Sequence, residues 1–120
     1  MALHYNLAKV YALSNDEDAF VQEKIQYFVF EIPKLIENLK ETIDEKKYKS
    51  VAESAAKINP YLDLMGMNAA FEEIILVQKW SLSSGKRKEI IDTYKSLNNA
   101  IKLAIKEIKK DFHLDVKIKK

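Results

Sequence analysis

The sequence predicts an all-α fold, an antiparallel up-down-up-down four-helix bundle with a short N-terminal helix. Two observations favour this class. The 120 residues include only two glycines and two prolines, so few positions interrupt helices. Apolar residues make up 48% of the chain and recur at steps of three and four along four stretches joined by short connections. Four amphipathic helices connected in this way bury their apolar faces by packing as an antiparallel bundle.

The first two predicted helices lie before residue 45. A short N-terminal helix, expected to cover the bundle as a lid, ends in a turn at residues 14–16, and Asp16 is the predicted cap of a long helix. Pro33 lies within the long helix and removes one backbone donor, so we expect a bend near Glu31. The apolar stripes are Leu3, Leu7, Val10 and Tyr11 in the short helix, and Phe20, Ile25, Phe28, Ile32, Leu35, Leu39 and Ile43 in the long one.

Three further helices complete the predicted bundle. Gly66 is the predicted stop of the first of them, and the stretch SLSSGK at residues 81–86 separates the other two. We expect residues 1–112 to form a single domain and residues 113–120 to form a basic C-terminal tail. The three stripes are Tyr48, Val51, Ala52, Ala55, Leu62 and Met65, then Ala70, Phe71, Ile74, Ile75, Val77 and Trp80, then Ile90, Tyr94, Leu97, Ile101, Ala104 and Ile108.

The composition limits the possible classes of function. The chain has 20 basic and 18 acidic residues, a net charge of +2 that is too balanced to indicate nucleic-acid binding. It has no cysteine, which excludes disulfides, thiolate metal sites and cysteine nucleophiles. No apolar stretch approaches the ~20 residues that a membrane helix needs, and the start does not resemble a signal peptide. With no exposed heptad seam either, we expect a soluble, cytoplasmic monomer that binds neither nucleic acid nor membrane.

Few residues suggest catalytic or metal chemistry. The two histidines, His4 and His113, lack the i, i+4 spacing with which a helix presents paired metal ligands. Glu72 and Glu73 are adjacent, but no Glu-x-x-His sequence accompanies them, as di-metal sites in helical bundles require. The lysine-rich stretch KLAIKEIKK at residues 102–110 is diluted by acidic residues, and we interpret it as an ordinary solvated face. We therefore predict no metal and no cofactor.

Two segments of the chain have a distinctive order of residues. The first is FVQEKIQYFVFEIPKLIENL at residues 20–39, and the second is AAKINPYLDLMGM at residues 55–67. Together they resemble the histidine phosphotransfer (HPt) family of bacterial phosphorelays, over nearly all of the chain. The resemblance implies an HPt-like bundle and a role in two-component signal transduction.

The second segment departs from the HPt motif at its reactive positions. That motif is Ala-His-x-Leu/Ile-Lys, followed by Gly or Pro and, a few residues later, by Gly. Ala56 stands where the family has its phosphorylated histidine and Asn59 where it has its lysine, whereas Ala55, Pro60 and Gly66 match. In the family, the histidine carries a phosphoryl group between the aspartates of two receiver domains, which a methyl group cannot do. We therefore do not expect an enzyme.

The resemblance implies a docking surface that persists without this chemistry. Receivers bind HPt bundles mainly through apolar contacts around the histidine-bearing face, so the implied partners are receiver domains of response regulators or hybrid histidine kinases. The implied contact residues are Lys49, Glu53, Ala56, Lys57, Asn59 and Pro60. Two alternatives remain open. One is a true phosphotransfer protein whose histidine was replaced by an engineered substitution, and the other is a structural bundle that binds no receiver.

Overall fold

The computed structural model describes residues 4–112, and this part of the chain forms six α-helices and no β-strand. The all-α prediction is therefore confirmed for the described residues, which pack as a helical bundle around one core. The stripe residue Leu3, His113 and the tail predicted at residues 113–120 lie outside the described residues. The helices are α1 Ala8–Ser14, α2 Asp18–Phe30, α3 Ile32–Asp44, α4 Tyr48–Leu64, α5 Asn68–Leu82 and α6 Arg87–Phe112.

The predicted long helix is interrupted at a single residue, Glu31, between α2 and α3. The amide of Glu31 still donates to the carbonyl oxygen of Tyr27 at 2.8 Å, and its own carbonyl oxygen accepts from the amide of Leu35 at 3.2 Å. Pro33 lies in the first turn of α3, where a missing N–H leaves no hydrogen bond within that helix unmade. The helix is therefore interrupted at the residue where the sequence predicted a bend.

α1 and the turn after it differ from the prediction in two ways. Val10 is fully buried but Tyr11 is 53% exposed, so the inward stripe of this helix is narrower than predicted. The prediction that Asp16 caps α2 is wrong, because the residue before α2 is Glu17 and no side chain caps the first turn. The conformation of the turn at residues 14–16 explains why α2 begins later than predicted. Asn15 and Asp16 both adopt left-handed φ angles, 52° and 65°, so the chain enters α2 one residue later.

The buried faces of the later helices follow the predicted stripes. All the predicted stripe positions of α6 are at most 6% exposed. On α5, Phe71 and Ile75 are only half-buried at the edges of the core. The Tyr94 hydroxyl of α6 donates to the carbonyl oxygen of Ile36 in α3 at 3.1 Å, and burial raises the pKa of Tyr94 above its ordinary value. This bond holds α6 against α3 without leaving a buried hydroxyl unpaired.

The contacts between helices define which ones are neighbours. α4 packs mainly against α3 and α5, and α6 packs mainly against α5, α3 and α2. α4 and α6 thus share α3 and α5 as neighbours and have no extensive contact with each other. α1 packs against α2. The outer faces of α4 and α6 are therefore separate surfaces of the molecule.

α4 ends at Leu64, and Gly66 is the helix stop just beyond it, as predicted. The amide of Gly66 donates to the carbonyl oxygen of Asp63 at 3.1 Å, and that of Met67 donates to Leu62 at 2.9 Å. These are the two bonds of a Schellman motif, which places its glycine in the left-handed region, here at φ 68°. A Cβ atom at Gly66 would lie 2.7 Å from the Cβ atom of Asn6, so the close approach of the N-terminal segment also requires glycine.

At one end of the bundle, hydrogen bonds and ring contacts connect helix ends with the segment between α5 and α6. We name this end the Trp80 corner. The Trp80 indole N–H donates to the carbonyl oxygen of Lys86 at 2.8 Å. The Tyr48 hydroxyl donates to the carbonyl oxygen of Gly85 at 2.7 Å, and the Tyr48 and Trp80 ring centroids are 5.2 Å apart. The corner comprises Asp44, Tyr48, Trp80, Gly85, Lys86 and Arg87.

The segment before α1 is attached to the last turns of α6. The amide of His4 donates to Glu107 Oε1 at 2.8 Å, and the Tyr5 hydroxyl donates to Asp111 Oδ2 at 2.7 Å. Burial, reinforced by the bond to Asp111, raises the pKa of Tyr5 well above its ordinary value. Two acidic groups of α6 are thereby engaged by the N-terminal segment.

Candidate docking surface around Ala56

α4 separates its two alanines sharply. Ala55 is 0% exposed and belongs to the core, whereas Ala56 is exposed. Successive residues of an α-helix differ by about 100° around its axis, which is enough to turn one methyl group inward and the next outward. The position that resembles the phosphoacceptor of the HPt family is therefore open to solvent.

Four other predicted contact residues of α4 are exposed beside Ala56. No ion pair within 4.0 Å involves Lys49, Glu53 or Lys57 in the described part of the chain. Their charges are therefore available to a partner without the cost of breaking an internal pair. We call this surface the Ala56 face, and it consists of Lys49, Glu53, Ala56, Lys57 and Pro60.

Asn59 occupies a different environment from the other predicted contact residues. It is half-buried at the edge of α4, and its side-chain amide donates to Gln78 Oε1 of α5 at 3.0 Å. The resemblance to the HPt motif placed Asn59 at the position of a lysine, among the implied contact residues. In the structure the Asn59 amide instead links α4 to α5.

Ser54 is the nearest hydroxyl to Ala56 in the sequence, and it lies away from the Ala56 face. It is 5% exposed, and its hydroxyl oxygen accepts a hydrogen bond from the Asn38 side-chain amide at 3.0 Å. A group buried between α3 and α4 cannot meet a phosphorylated partner at the surface. Ser54 is therefore a structural bridge between two helices.

An apolar groove adjoins the Ala56 face, between α1, α2 and α4. Pro60 belongs to both surfaces, and the groove has a volume of about 530 Å³. On its α1 wall, Leu13 is 62% exposed and adds apolar surface to the groove. We call it the α1–α2–α4 groove, and its lining residues are Lys9, Ala12, Leu13, Phe20, Lys24, Pro60, Tyr61, Asp63 and Leu64.

Aromatic rings form the wall of this groove between α2 and α4. Tyr61 stacks on Tyr27, with ring centroids 4.4 Å apart and an interplanar angle of 18°. The ammonium group of Lys24 lies 5.2 Å from the Phe20 ring centroid and 5.9 Å from that of Tyr61. Stacking and cation–π contacts of this kind hold the wall in one arrangement before any partner binds.

Besides Lys24, the groove has two charged lining residues, Lys9 and Asp63, and they form an ion pair. Lys9 Nζ lies 2.7 Å from Asp63 Oδ1, and both side chains are more than half exposed. An exposed pair of this kind contributes little to stability. It does, however, join α1 to the C-terminal end of α4 across the groove.

Sequence reasoning placed Pro60 in the site but missed most of the groove. Phe20 was assigned to the core stripe, and Leu13 and Leu64 were not assigned to any surface. The available signal was Leu13, an apolar residue next to the polar turn at residues 14–16. Its meaning depends on the packing of α1 beside α4, which periodicity does not reveal.

Neither a metal site nor a membrane-spanning helix is present among the described residues. Among residues 4–112, no three histidine, aspartate or glutamate side chains are grouped so that they could hold a metal ion. Over the same range, no helix is both long and apolar enough to cross a membrane. The Ala56 face and the α1–α2–α4 groove together present exposed apolar side chains beside Lys24 and Lys57.

Comparison with known proteins found no matching family model, no matching curated protein and no matching solved structure.

Proposed function

We propose that this chain is an HPt-like protein of two-component signal transduction that binds receiver domains and carries no phosphohistidine. The observation behind the proposal is the exposed methyl group of Ala56 at the centre of the Ala56 face, with Ala55 buried behind it. A phosphoacceptor would have to stand at such an exposed position. A side chain without a nucleophilic atom leaves the surface able to dock but unable to accept a phosphoryl group.

The proposal includes the up-down-up-down order of an HPt bundle, with α2 and α3 acting together as its first helix. The connections between α3, α4, α5 and α6 are residues 45–47, 65–67 and 83–86. Neighbouring helices joined by so few residues return in the opposite direction, because a parallel arrangement would need a connection as long as the helix. The packing of α4 against α3 and α5, and of α6 against α5, supports this order.

The α1–α2–α4 groove supports docking of a folded partner. Binding energy at protein interfaces concentrates in a few apolar and aromatic residues, surrounded by polar groups that exclude water. Phe20, Tyr61 and Leu64 supply such a centre next to Pro60, and Lys24 and Lys57 lie near its edge. The proposed partners, receivers of response regulators or hybrid kinases, are cytoplasmic, so the proposal places this protein there too.

Such a protein would act by occupying a receiver. It could sequester a response regulator, compete with an active HPt protein or tether a hybrid kinase. All three roles require binding without phosphoryl transfer. Calorimetry of this protein against the isolated receiver domains encoded in its own genome tests the binding, and incubation with the phosphorylated receiver tests the transfer. We expect heat of binding with at least one receiver and no label on this protein, and no heat with any receiver would overturn the proposal.

A matched pair of variants locates the binding. Ala56→Arg places a long charged side chain at the centre of the Ala56 face, and Ala69→Arg makes the same change at an exposed alanine of α5. Neither removes a buried group, so both should fold. We expect Ala56→Arg to abolish receiver binding and Ala69→Arg to leave it unchanged, whereas equal effects would mean that the receiver binds elsewhere.

Restoring the histidine separates this proposal from an engineered loss of activity. In Ala56→His, an imidazole nitrogen would attack the phosphorus of the aspartyl phosphate, an N–P bond would form as the O–P bond to aspartate breaks, and a proton would leave to solvent. Because Asn59 supplies no positive charge, we expect slow or no transfer. Rapid transfer would instead favour an active phosphotransfer protein that lost its histidine by substitution.

A further inference from the structure

α6 carries a stripe of lysines on its outer face. Lys88, Lys95, Lys102 and Lys109 recur every seven residues, and Lys106 lies between the last two. Seven residues are about two turns of helix, or about 10 Å, so these side chains project in nearly one direction. All of them are exposed, and none belongs to an ion pair within 4.0 Å among the described residues. We name these five residues the lysine stripe.

The acidic residues of the C-terminal half of α6 do not neutralise this stripe. Glu107 is bonded to the His4 amide and Asp111 to the Tyr5 hydroxyl, both on the side of the helix that the N-terminal segment covers. Asp92 is exposed near Lys88 and Lys95 and weakens only the first part of the stripe. The basic and acidic residues that alternate in this part of the sequence therefore lie on two different sides of α6.

An apolar groove runs beside the lysine stripe, between α3 and α6. Its volume is about 290 Å³, and Lys102 of the stripe is one of its lining residues. Glu37 and the exposed Lys34 lie on the opposite, α3 rim. We name it the α3–α6 groove. Pro33 and Ile105 are the partly exposed apolar residues of its lining, and Ile36, Tyr94 and Ile101, which also line it, are buried.

We infer that the α3–α6 groove and the lysine stripe together bind an acidic amphipathic helix of a protein partner. The apolar side of that helix would fill the groove, as in other helix-in-groove complexes. Acidic side chains repeated every seven residues would then face Lys95, Lys102 and Lys109. Glu37 on the other rim disfavours acidic groups there, so the partner's acidic flank has to lie on the α6 side.

Charge and shape favour a protein helix over other anionic partners. A membrane-binding helix needs a broad apolar face towards the lipid, and Leu103, 38% exposed, is the large apolar side chain next to the stripe. Nucleic acid is usually bound with arginines and stacked aromatic rings as well as lysines, and the stripe contains only lysines. A seven-residue repeat of charge matches the repeat along a helix packed lengthwise on α6.

This site is independent of the Ala56 face, because α6 and α4 have no extensive contact. The inference therefore does not rest on receiver binding, and the variants below should leave that binding unchanged. A receiver and an acidic helix could occupy the protein together.

The test uses a designed peptide and the full chain. The probe is a four-heptad helical peptide with leucines on one face and a glutamate on one flank of every heptad, so that its acidic flank can lie on the α6 side. A second peptide of the same composition has its glutamates moved opposite the leucines. The stripe variant is Lys95→Glu with Lys102→Glu, and the control variant is Lys79→Glu with Lys86→Glu, an equal change of charge at exposed lysines outside the stripe.

We expect the first peptide to bind at least about tenfold more tightly than the second, and to lose at least about tenfold in affinity in the stripe variant only. Affinity should also fall as salt is raised. Equal binding of both peptides, or equal losses in both variants, would mean a general charge effect and would overturn the inference. Tighter, stripe-dependent binding of duplex DNA or of vesicles containing phosphatidylserine would overturn it in favour of those partners.

Discussion

The Trp80 corner and the Ala56 face use their polar groups in opposite ways. At the corner, the Trp80 indole and the Tyr48 hydroxyl donate to backbone carbonyl oxygens, and Asp44 bonds both Lys40 and Arg87. On the Ala56 face, Lys49 and Lys57 make no ion pair within the described chain. The corner therefore joins helix ends to one another, whereas the Ala56 face contributes little to the fold.

This difference separates stability from function in the molecule. A change at the corner removes bonds that the folded state needs, so it should act on the free energy of unfolding. A change on the Ala56 face removes no internal bond, so its effect should appear only when a partner is present. The predictions below test this division by measuring unfolding, receiver binding or both.

The largest expected effect is that of Trp80→Ala. Trp80 is 6% exposed, packs beside the Tyr48 ring and donates to the Lys86 carbonyl oxygen. Removing the ring should lower the free energy of unfolding by about 3–5 kcal/mol, measured by urea denaturation. Trp80→Phe should lower the free energy of unfolding by less, because phenylalanine keeps much of the buried aromatic area. It still loses the hydrogen bond of the indole N–H. If the two variants were equally stable, the corner would not depend on ring packing.

A smaller loss of stability is expected for Gly66→Ala at the end of the helix that carries the Ala56 face. The left-handed φ of 68° costs an alanine about 1–2 kcal/mol, and its Cβ atom would lie 2.7 Å from that of Asn6. We expect a loss of about 2 kcal/mol in chemical denaturation. Asparagine tolerates a left-handed conformation better than alanine does. If backbone strain dominates, Gly66→Asn should therefore lower the free energy of unfolding by less than Gly66→Ala. If the clash with Asn6 dominates, the two variants should be equally destabilised.

The sequence predicted the features that depend on local periodicity. The inward Ala55, the buried stripe of α6 and the stop at Gly66 each follow from residues within a few turns of one helix. The one cap that was predicted wrongly, Asp16, is also a local feature, because the left-handed φ angles of Asn15 and Asp16 delay the start of α2. What the sequence did not show are contacts between distant segments. The Asn59 amide is taken up by Gln78 of another helix, and the acidic residues among the α6 lysines are engaged by the N-terminal segment. The α1–α2–α4 groove likewise exists only because α1 packs beside two later helices.

Lys57→Glu tests the Ala56 face with a reversal of charge. Because Lys57 is exposed and makes no internal ion pair among the described residues, the free energy of unfolding should change by less than about 0.5 kcal/mol. Receiver affinity measured by calorimetry should fall about tenfold, or about 1.4 kcal/mol, if the proposed docking is correct. Lys79→Glu, at an exposed lysine of α5 outside both the Ala56 face and the Trp80 corner, is the matched control and should leave affinity unchanged. Unaltered binding in Lys57→Glu would mean that the receiver binds to a surface other than the Ala56 face.

The smallest effect concerns the pH dependence of the Trp80 corner. Hydrogen bonds from Lys40 first, and then from Arg87, hold the pKa of Asp44 below its ordinary value of 3.8. A carboxyl group with a lowered pKa stabilises the fold above its ordinary pKa, and this contribution is lost as the pH falls through its pKa in the folded state. The free energy of unfolding of the native chain should therefore decrease more steeply on acidification below about pH 4 than that of Asp44→Asn.

Salt provides the control for Asp44, since both of its partners are exposed. The Lys40 and Arg87 side chains are 39% and 45% exposed, so about 0.5 M NaCl should screen the pairs and bring the pH profiles of the two proteins together. Receiver binding at neutral pH should be the same in both, because Asp44 lies at the corner and not on the Ala56 face. Parallel pH profiles at low salt would show that these exposed pairs add nothing to the corner, which would then be held by Trp80 and Tyr48 alone.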